Sequence, residues 1–267
     1  MAGLTGKTIS SSYKSLLRIN DDTNGVDNVL ENVTDGEGTK SALYISDDAV
    51  RVFPNDDDTV GAFTVRNTSG NTIFAVDSTN TAIKAGAGQF NVLTQYAYFS
   101  EHFLITSANT AGYHYPLTFG AGSNSGLSDQ INIFGNGTDP ATSVTTADTD
   151  ADTRAASLTN FLMYVPDNIS IDSVTSLEGA DAATGDTTRF HLMSYTLNSG
   201  STSCLADGTL IAHSSDQVNA GSEQIYKNTW TVDSASVAAG KVLVCTFEAD
   251  GNNSDYSYQV IVKYHLV

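Results

Sequence analysis

Short runs in which apolar and polar side chains alternate, each closed within a few residues by glycine, asparagine or aspartate, recur along this chain and predict strands. The stretch Val60–Gly88 carries the pattern most plainly. Phe63 and Val65 alternate with polar neighbours, Asn67–Asn71 supplies turn residues, Ile73, Phe74 and Val76 restore the apolar pattern, and Asp77–Thr81 turns the chain again. Strands this short offer too few apolar side chains to offset the ~1–2 kcal/mol per residue that backbone ordering costs. The same stretch of symmetry-related copies would complete the core, because homo-oligomers close about a rotation axis and bury one patch of every copy. Upstream, Ala42–Ile45 and Val50–Phe53 read as two strands joined by Ser46–Asp48, with Pro54 ending the second. Two departures from the strand pattern are predicted. One is a helical turn over Ser12–Leu17. The other is a helix over Val26–Val33, whose apolar positions Val26, Val29, Leu30 and Val33 follow a helical period between the turn signals Asn24-Gly25 and Asp35–Gly38.

Past the glycines at Gly86–Gly88 the composition changes, which predicts a domain boundary near residue 90. The division is an attachment region 1–59, a β-repeat shaft or linker 60–94 and a carboxy-terminal domain 95–267. Gln95–Gly120 is strongly aromatic, through Tyr96, Tyr98, Phe99, Phe103, Tyr113, Tyr115 and Phe119, and suits a sandwich core or an oligomer seam. Gly120–Ser157 is poor in apolar residues apart from Ile131, Ile133 and Phe134 and reads as a long surface excursion. From Phe161 onward the strands recur at even spacing: Phe161–Val165, Ile169–Leu177, Thr188–Leu197, Gly208–Ala212, Gln224–Val232 around Trp230, Lys241–Ala249 and Tyr256–Val267. The last of these places Tyr258, Val260, Val262, Tyr264 and Leu266 on one face and Gln259, Ile261, Lys263 and His265 on the other. With no helix-length segment between them, these strands predict a two-sheet antiparallel sandwich of jelly-roll type.

Charge narrows the partners. The 267 residues include 12 basic and 30 acidic side chains, a formal charge of −18, which repels a polyanionic backbone and removes the counterion-release term of nucleic-acid binding. A chain of this length and apolar content builds a sizeable core without metal or disulfide staples. Cys204 and Cys245 lie in or beside apolar runs and are expected as buried free thiols. The opening MAGLTGKTIS lacks the apolar run of a secretory leader, and no later run is long enough to span a membrane, so the expectation is a protein made and kept in a cytoplasm, without membrane insertion. The sequons Asn32-Val33-Thr34 and Asn168-Ile169-Ser170 then carry no glycan.

Candidate chemistry is sparse. Asp148, Asp150 and Asp152 begin like a calcium loop, but Thr153 stands at the sixth position, where glycine is needed, and Thr159 at the twelfth, where a bidentate glutamate is needed. The acidic run Asn55–Asp58 reads as a solvated loop. Glu178, Asp181, Asp186 and Glu248 are available for a glycosidase pair, yet nothing in the sequence pairs them. His102, His114, His191, His213 and His265 lie far apart, none at ligand spacing from another. Tyr195, Tyr226, Trp230, Tyr256 and Tyr258 are candidates for an aromatic platform under a glycan, with core packing expected for at least half of them. No nucleophile elbow, P-loop, HExxH or Cys-x-x-Cys is present. No catalytic, cofactor-binding or metal-ligating residue is therefore assigned.

Two blocks carry a resemblance. AFTVRNTSGNTIFAVDST, followed by KAGAG at Lys84–Gly88, resembles the shaft repeats of trimeric tail fibres, tailspikes and head fibres of tailed bacteriophages. GKTISSSYKSLLRINDDTNGVDN with ENVTDGEGTKSALYIS is similar to the amino-terminal region of such proteins from marine and cyanobacterial phages. Together they cover roughly the first third of the chain. The resemblance implies a non-enzymatic virion protein assembled in the host cytoplasm. It would be homotrimeric, a short fibre or a capsid decoration (cement) protein, attached to capsid or tail proteins through its amino-terminal region. The alternative is a receptor-binding tailspike that recognises or cleaves host surface polysaccharide, which adds a host glycan to the candidate partners.

Overall fold

The alternation along the chain folds into strands that pair antiparallel throughout the described residues. The computed structural model of the chain describes residues 16–21, 23–86, 90–103, 111–120, 133–146, 158–180, 185–220, 223–249 and 256–267. It divides into two compact units, Met1–Leu93 and Thr94–Val267.

Among the described residues the first unit holds two four-stranded sheets. One runs β1 (Arg18–Ile19), β2 (Glu31–Thr34), β3 (Lys40–Ile45) and β4 (Val50–Val52) in that order. The other runs β5 (Phe63–Arg66), β6 (Thr72–Asp77), β7 (Ala82–Ala85) and β8 (Phe90–Asn91). The β5–β6 turn closes on Asn67, whose Oδ1 accepts from the amides of Ser69 (3.0 Å) and Asn71 (2.9 Å), while Gly70 takes a left-handed φ of 83°. The β6–β7 turn closes on buried Asp77, which accepts from Asn80 and from Lys84 Nζ at 2.5 Å. The lysine first, then Asn80, holds that carboxyl down to about 2.

Register gives the second sheet a wholly apolar face and the first a largely apolar one, with Glu31 across from Ile45. On the second, Phe63, Val76 and Ile83 form one row and Val65, Phe74 and Ala85 the next, with Phe63 and Phe74 in edge contact at 6.3 Å. Phe63 remains 45% exposed and Val65 43%, so this face is open, whereas the opposite face buries Ala75, Asp77 and Ala82. On the first sheet Leu43 pairs with Val52 and Ile45 with Val50, and Leu43, Val50 and Val52 are likewise exposed. The helix predicted over Val26–Val33 does not form. Val26 and Val29 lie exposed in a bend, and Glu31–Thr34 is a strand, because Asn32 and Thr34 are buried between β1 and β3 and Asn32 Nδ2 donates to the Ser41 carbonyl at 2.7 Å. A helical spacing of valines yields here to strand pairing on both sides. Of the turn predicted over Ser12–Leu17, only Leu16 and Leu17 lie among the described residues; both are exposed and irregular.

The second unit begins with β9 (Thr94–Phe103), β10 (Tyr115–Pro116) and β11 (Thr118–Phe119), then a 3-10 turn at Thr159–Phe161 and β12 (Met163–Tyr164). There follow β13 (Ile169–Ala180), β14 (Thr187–Leu197), β15 (Leu205–His213), β16 (Gln217–Val218), β17 (Gln224–Thr229), β18 (Thr231–Val232), β19 (Ser236–Val237), β20 (Lys241–Ala249) and β21 (Tyr256–Leu266). One sheet has the order β11-β9-β21-β13-β17 and the other β10-β20-β14-β15-β18. The principal strands in chain order are β9, β10, β13, β14, β15, β17, β20 and β21. Numbered in that sequence, 1-8-3-6 faces 2-7-4-5, the paired Greek keys of a jelly roll. Two of the crossings between the sheets take a single buried residue, Leu117 between β10 and β11 and Trp230 between β17 and β18. Gln224–Val232 is thus two strands, not the single one its pattern predicts, and Phe161–Val165 is a 3-10 turn leading into β12.

Between the sheets Phe190 meets Trp230 in a stacked pair (5.6 Å) and Tyr258 edge-on (5.0 Å), with Phe247 against the same Tyr258 at 4.9 Å. A second apolar cluster lies on the outer face of the β14–β20 sheet, where Phe134, Val144 and Leu158 cover Met193, Tyr195, Leu205, Val242 and Val244. The excursion predicted over Gly120–Ser157 is therefore corrected for residues 133–146. Phe134 is fully buried, Val144 bridges to Leu205, and Tyr195 Oη donates to the Ala141 carbonyl at 2.8 Å. This cover explains why β14 and β20 are buried on both faces over Phe190–Tyr195 and Val242–Phe247, unlike the half-buried β21. Cys204 and Cys245 are free and buried. Among the described residues no helix is long and apolar enough to cross a membrane.

Candidate functional site

Three groups of polar side chains in the jelly roll have geometry worth testing for chemistry. The first is a cleft of about 220 Å3 formed where β14 begins and β20 ends, with Gly112, Thr188, Arg189, Asp216 and Glu248 among its walls. Arg189 and Glu248 are cross-strand neighbours. The guanidinium is claimed by Asp216, with Nη2 at 2.5 Å and Nε at 2.6 Å from the same carboxylate oxygen. One cation between two carboxylates leaves the cleft acidic, with Thr188 at its inner wall.

Behind Thr188 lies the second group. Glu178, on β13, points into the sandwich at 2% exposure and accepts a hydrogen bond from Thr188 Oγ1, while its Oε2 has no partner among the described residues. Burial pushes this carboxyl up to about 7 against the lowering effect of the Thr188 bond. The same inward row carries Glu101, Tyr258 and Tyr226, directly across from one another on β9, β21 and β17. Glu101 accepts from Thr118 at 2.8 Å, and buried Asp186 accepts from Tyr256 Oη at 2.8 Å. Burial favours the protonated form of Glu178, but Glu178, Glu101 and Tyr258 are enclosed in the interior and only Tyr226 of the row is partly exposed.

The third group sits on the opposite, covered face of β14. His114 and His191 are buried and touch edge-on at 4.9 Å between ring centres, with His114 Nε2 bonded to the Gly137 carbonyl at 2.8 Å and Asp139 Oδ1 3.7 Å from His191 Nε2. Burial first, then the neighbouring His114, Arg189 and His213, drives His191 down to about 3, so its ring is neutral at physiological pH. Neither Nδ1, nor the adjacent Thr246 Oγ1, has a partner among the described residues.

These positions redistribute the candidates of the sequence. Glu178, Asp186 and Glu248 are not gathered in one groove: the first two face the interior and the third the cleft, while Asp181 lies outside the described residues. The aromatic platform is corrected as well. Tyr195, Trp230, Tyr256 and Tyr258 are buried core and only Tyr226 is partly exposed, its hydroxyl bonded to Gln224. The histidines are not all isolated, since the fold brings His114 to His191, while His213 and His265 each bond an aspartate, Asp233 and Asp172, at 2.8 Å. Asn32 of the first sequon is buried and Asn168 of the second accepts from the Ala239 amide at 2.9 Å.

Among the described residues no cluster of three or more histidine, cysteine or carboxylate side chains has metal-binding geometry. Asp148, Asp150, Asp152 and Thr153 lie outside the described residues, and Thr159 opens the 3-10 turn. Chelator is expected to leave the melting temperature unchanged within about 1 °C, because a ligand stabilises only in proportion to its binding to the native state. A fall of many degrees on chelation would reveal a structural cation held by residues that the spacing does not point to.

No family model and no curated protein matches this chain. Among solved structures, one neighbour is the structure of infectious bursal disease virus Gx strain, at 8% identity, with 70% of this chain and 63% of that chain covered and a TM-score of 0.14. The match thus spans less than two thirds of that structure's chain, and a likeness of this size carries no argument about fold or function.

Proposed function

We propose that this chain is a non-enzymatic structural protein of a bacteriophage particle, a homotrimeric short fibre or capsid decoration protein displayed on the particle surface. Its amino-terminal unit would attach to capsid or tail proteins. Its jelly roll would form the outward head. The observation that carries the reading is the contrast between the two units. The jelly roll fills its own core, while the sheets β1–β4 and β5–β8 each leave an apolar face half exposed. Five such side chains, Leu43, Val50, Val52, Phe63 and Val65, each recovering about 1 kcal/mol on losing its remaining exposure, represent on the order of 5 kcal/mol per copy that only a partner can realise. The resemblance of Ala62–Thr79 to trimeric phage shafts supports further copies of the chain as that partner, and the resemblance of the preceding block to the amino-terminal region of such proteins supports the particle as the other.

Light scattering of the purified protein at micromolar concentration is expected to give about three times the 28.1 kDa chain mass. A monomer at every concentration tested would remove the oligomeric half of the proposal. Electron microscopy of intact particles, with the protein labelled, tests the other half: density at capsid or tail positions supports it, and particles that lack the label overturn it.

A further inference from the structure

The two outer faces of the jelly roll are finished differently. Over the sheet containing β14 and β20, the chain's own residues 133–146 and Leu158 seal the surface. Over the sheet β9-β21-β13-β17 the outward rows stay open. Ala97 and Phe99 point inward, so Tyr96 and Tyr98 point outward, at 55% and 44% exposure, beside Lys263 and Ile261 on β21; Lys227 and a largely exposed Ile225 stand outward on β17. Between Tyr96 and Ile225 these rows contain no carboxylate, although the chain carries a formal charge of −18. Asp172, at the bulge beyond them, is bonded to His265. Neither Lys227 nor Lys263 has an ion-pair partner among the described residues, whereas Arg189 is held by Asp216 and Lys241 by Thr196.

We infer that this outer sheet face is a second seam of the homo-oligomer, seated against the acidic surface of another copy; the inference rests on the proposed trimer. Charge complementarity selects the occupant. A ring of three copies is closed by heterologous contacts, in which one patch meets a different patch of the next copy. An aromatic face with two unpaired lysines on an otherwise acidic chain is complementary to almost any other part of that chain's surface. Tyrosine suits such a place because its ring adds contact area at little conformational cost while its hydroxyl stays paired or wet. Size fits a supporting role. Strand spacings of about 4.8 Å and rows of about 6.8 Å give a face of roughly 14 by 20 Å, below the ~800 Å2 per partner of a self-sufficient interface. The amino-terminal faces would have to supply the rest.

The test compares three full-length proteins, wild type, Tyr98→Glu and the double variant Lys227→Glu/Lys263→Glu, by sedimentation equilibrium at low and high salt. Tyr98 and Lys227 are exposed and Lys263 is partly buried, and unchanged circular dichroism and melting of the monomer verify the fold; Tyr96→Ser replaces Tyr98→Glu if that variant fails the check. The concentration at which the trimer dissociates is expected to rise at least tenfold in each variant, and the charge-reversed variant is expected to lose the salt dependence seen in the wild type. A trimeric wild type with the same dissociation concentration in both variants overturns this seam and leaves the trimer standing. A wild type that never associates overturns the trimer itself. Binding to dextran or polygalacturonate that disappears in the Tyr98 variant, without a change in mass, assigns the face to a glycan and also overturns the seam.

Discussion

Replacing Phe134 by alanine is expected to cost the jelly-roll unit about 4 kcal/mol, the usual range for emptying a fully buried phenylalanine site. Phe134 is wholly buried, with its ring 6.1 Å from that of Tyr195. Its amide donates to the His114 carbonyl at 2.8 Å and its carbonyl accepts from Ala141 at 2.6 Å, so the ring and the backbone of 133–146 are fixed together. Loss of the ring should therefore loosen the segment that covers β14, with a second signature at the histidine pair. His191, driven down to about 3 by burial, should titrate closer to its ordinary value near 6.5 once water reaches it. Denaturant unfolding measures the first effect and proton NMR of the imidazoles the second. A variant as stable as the wild type would show that residues 133–146 do not cover the sheet in solution. The same segment is tested from the opposite side at Gly208, where a side-chain carbon would stand 2.6 Å from the Tyr195 ring and 2.7 Å from Thr142 Cα.

The substitution Glu178→Gln is expected to make the protein more stable above neutral pH and to leave it little changed in acid. The folded carboxyl titrates near 7 and the unfolded one near 4.5, so between these values the native state binds more protons than the unfolded chain. Stability contributed by this group is complete below about pH 4.5, falls as pH rises towards 7, and is lost above it. A difference of this size corresponds to about 3 kcal/mol. Glutamine keeps an oxygen for the Thr188 hydroxyl and removes the ionisation. His191 acts in the opposite sense: its depressed folded value makes stability fall as pH drops from about 6.5 towards 3. The informative quantity is therefore the difference in unfolding free energy between variant and wild type, followed from pH 4 to 9. Parallel curves would mean that Glu178 is hydrated in the folded protein, and the buried proton would have to be abandoned.

Both predictions concern side chains whose surroundings the sequence half discloses. A period of two is a local property of the backbone, and it made most strands of the jelly roll, the inward face of β21 and the hairpins at Asn67–Asn71 and Asp77–Thr81 legible from the residues alone. The uninterrupted apolar run in β20 likewise announces a strand buried on both faces. Counting by twos also has the means to place Glu178, since Val174, Ser176 and Glu178 share a face. A count begun at Ile169 and Ile171 sends it to solvent instead, because the bulge between Ile171 and Ser173 shifts the register by one residue. Nothing in the chain marks that bulge.

Tertiary structure alone decided the rest, because each case depends on residues distant in sequence. Val26–Val33 has helical spacing, yet strand pairing with β1 and β3 takes Asn32 and Thr34 inside. Phe134 is one aromatic residue in a polar stretch, and it becomes core only because β14, β15 and β20 arrive beneath it. His114, just before β10, reaches His191 on β14 although β20 runs between those strands, and Phe190, Phe247 and Tyr258 turn inward while Tyr96 and Tyr98 turn out. Alternation dictates that a strand has two faces; which face finds cover is settled by the long-range pairing of sheets, whose closure entropy and packing no local pattern encodes.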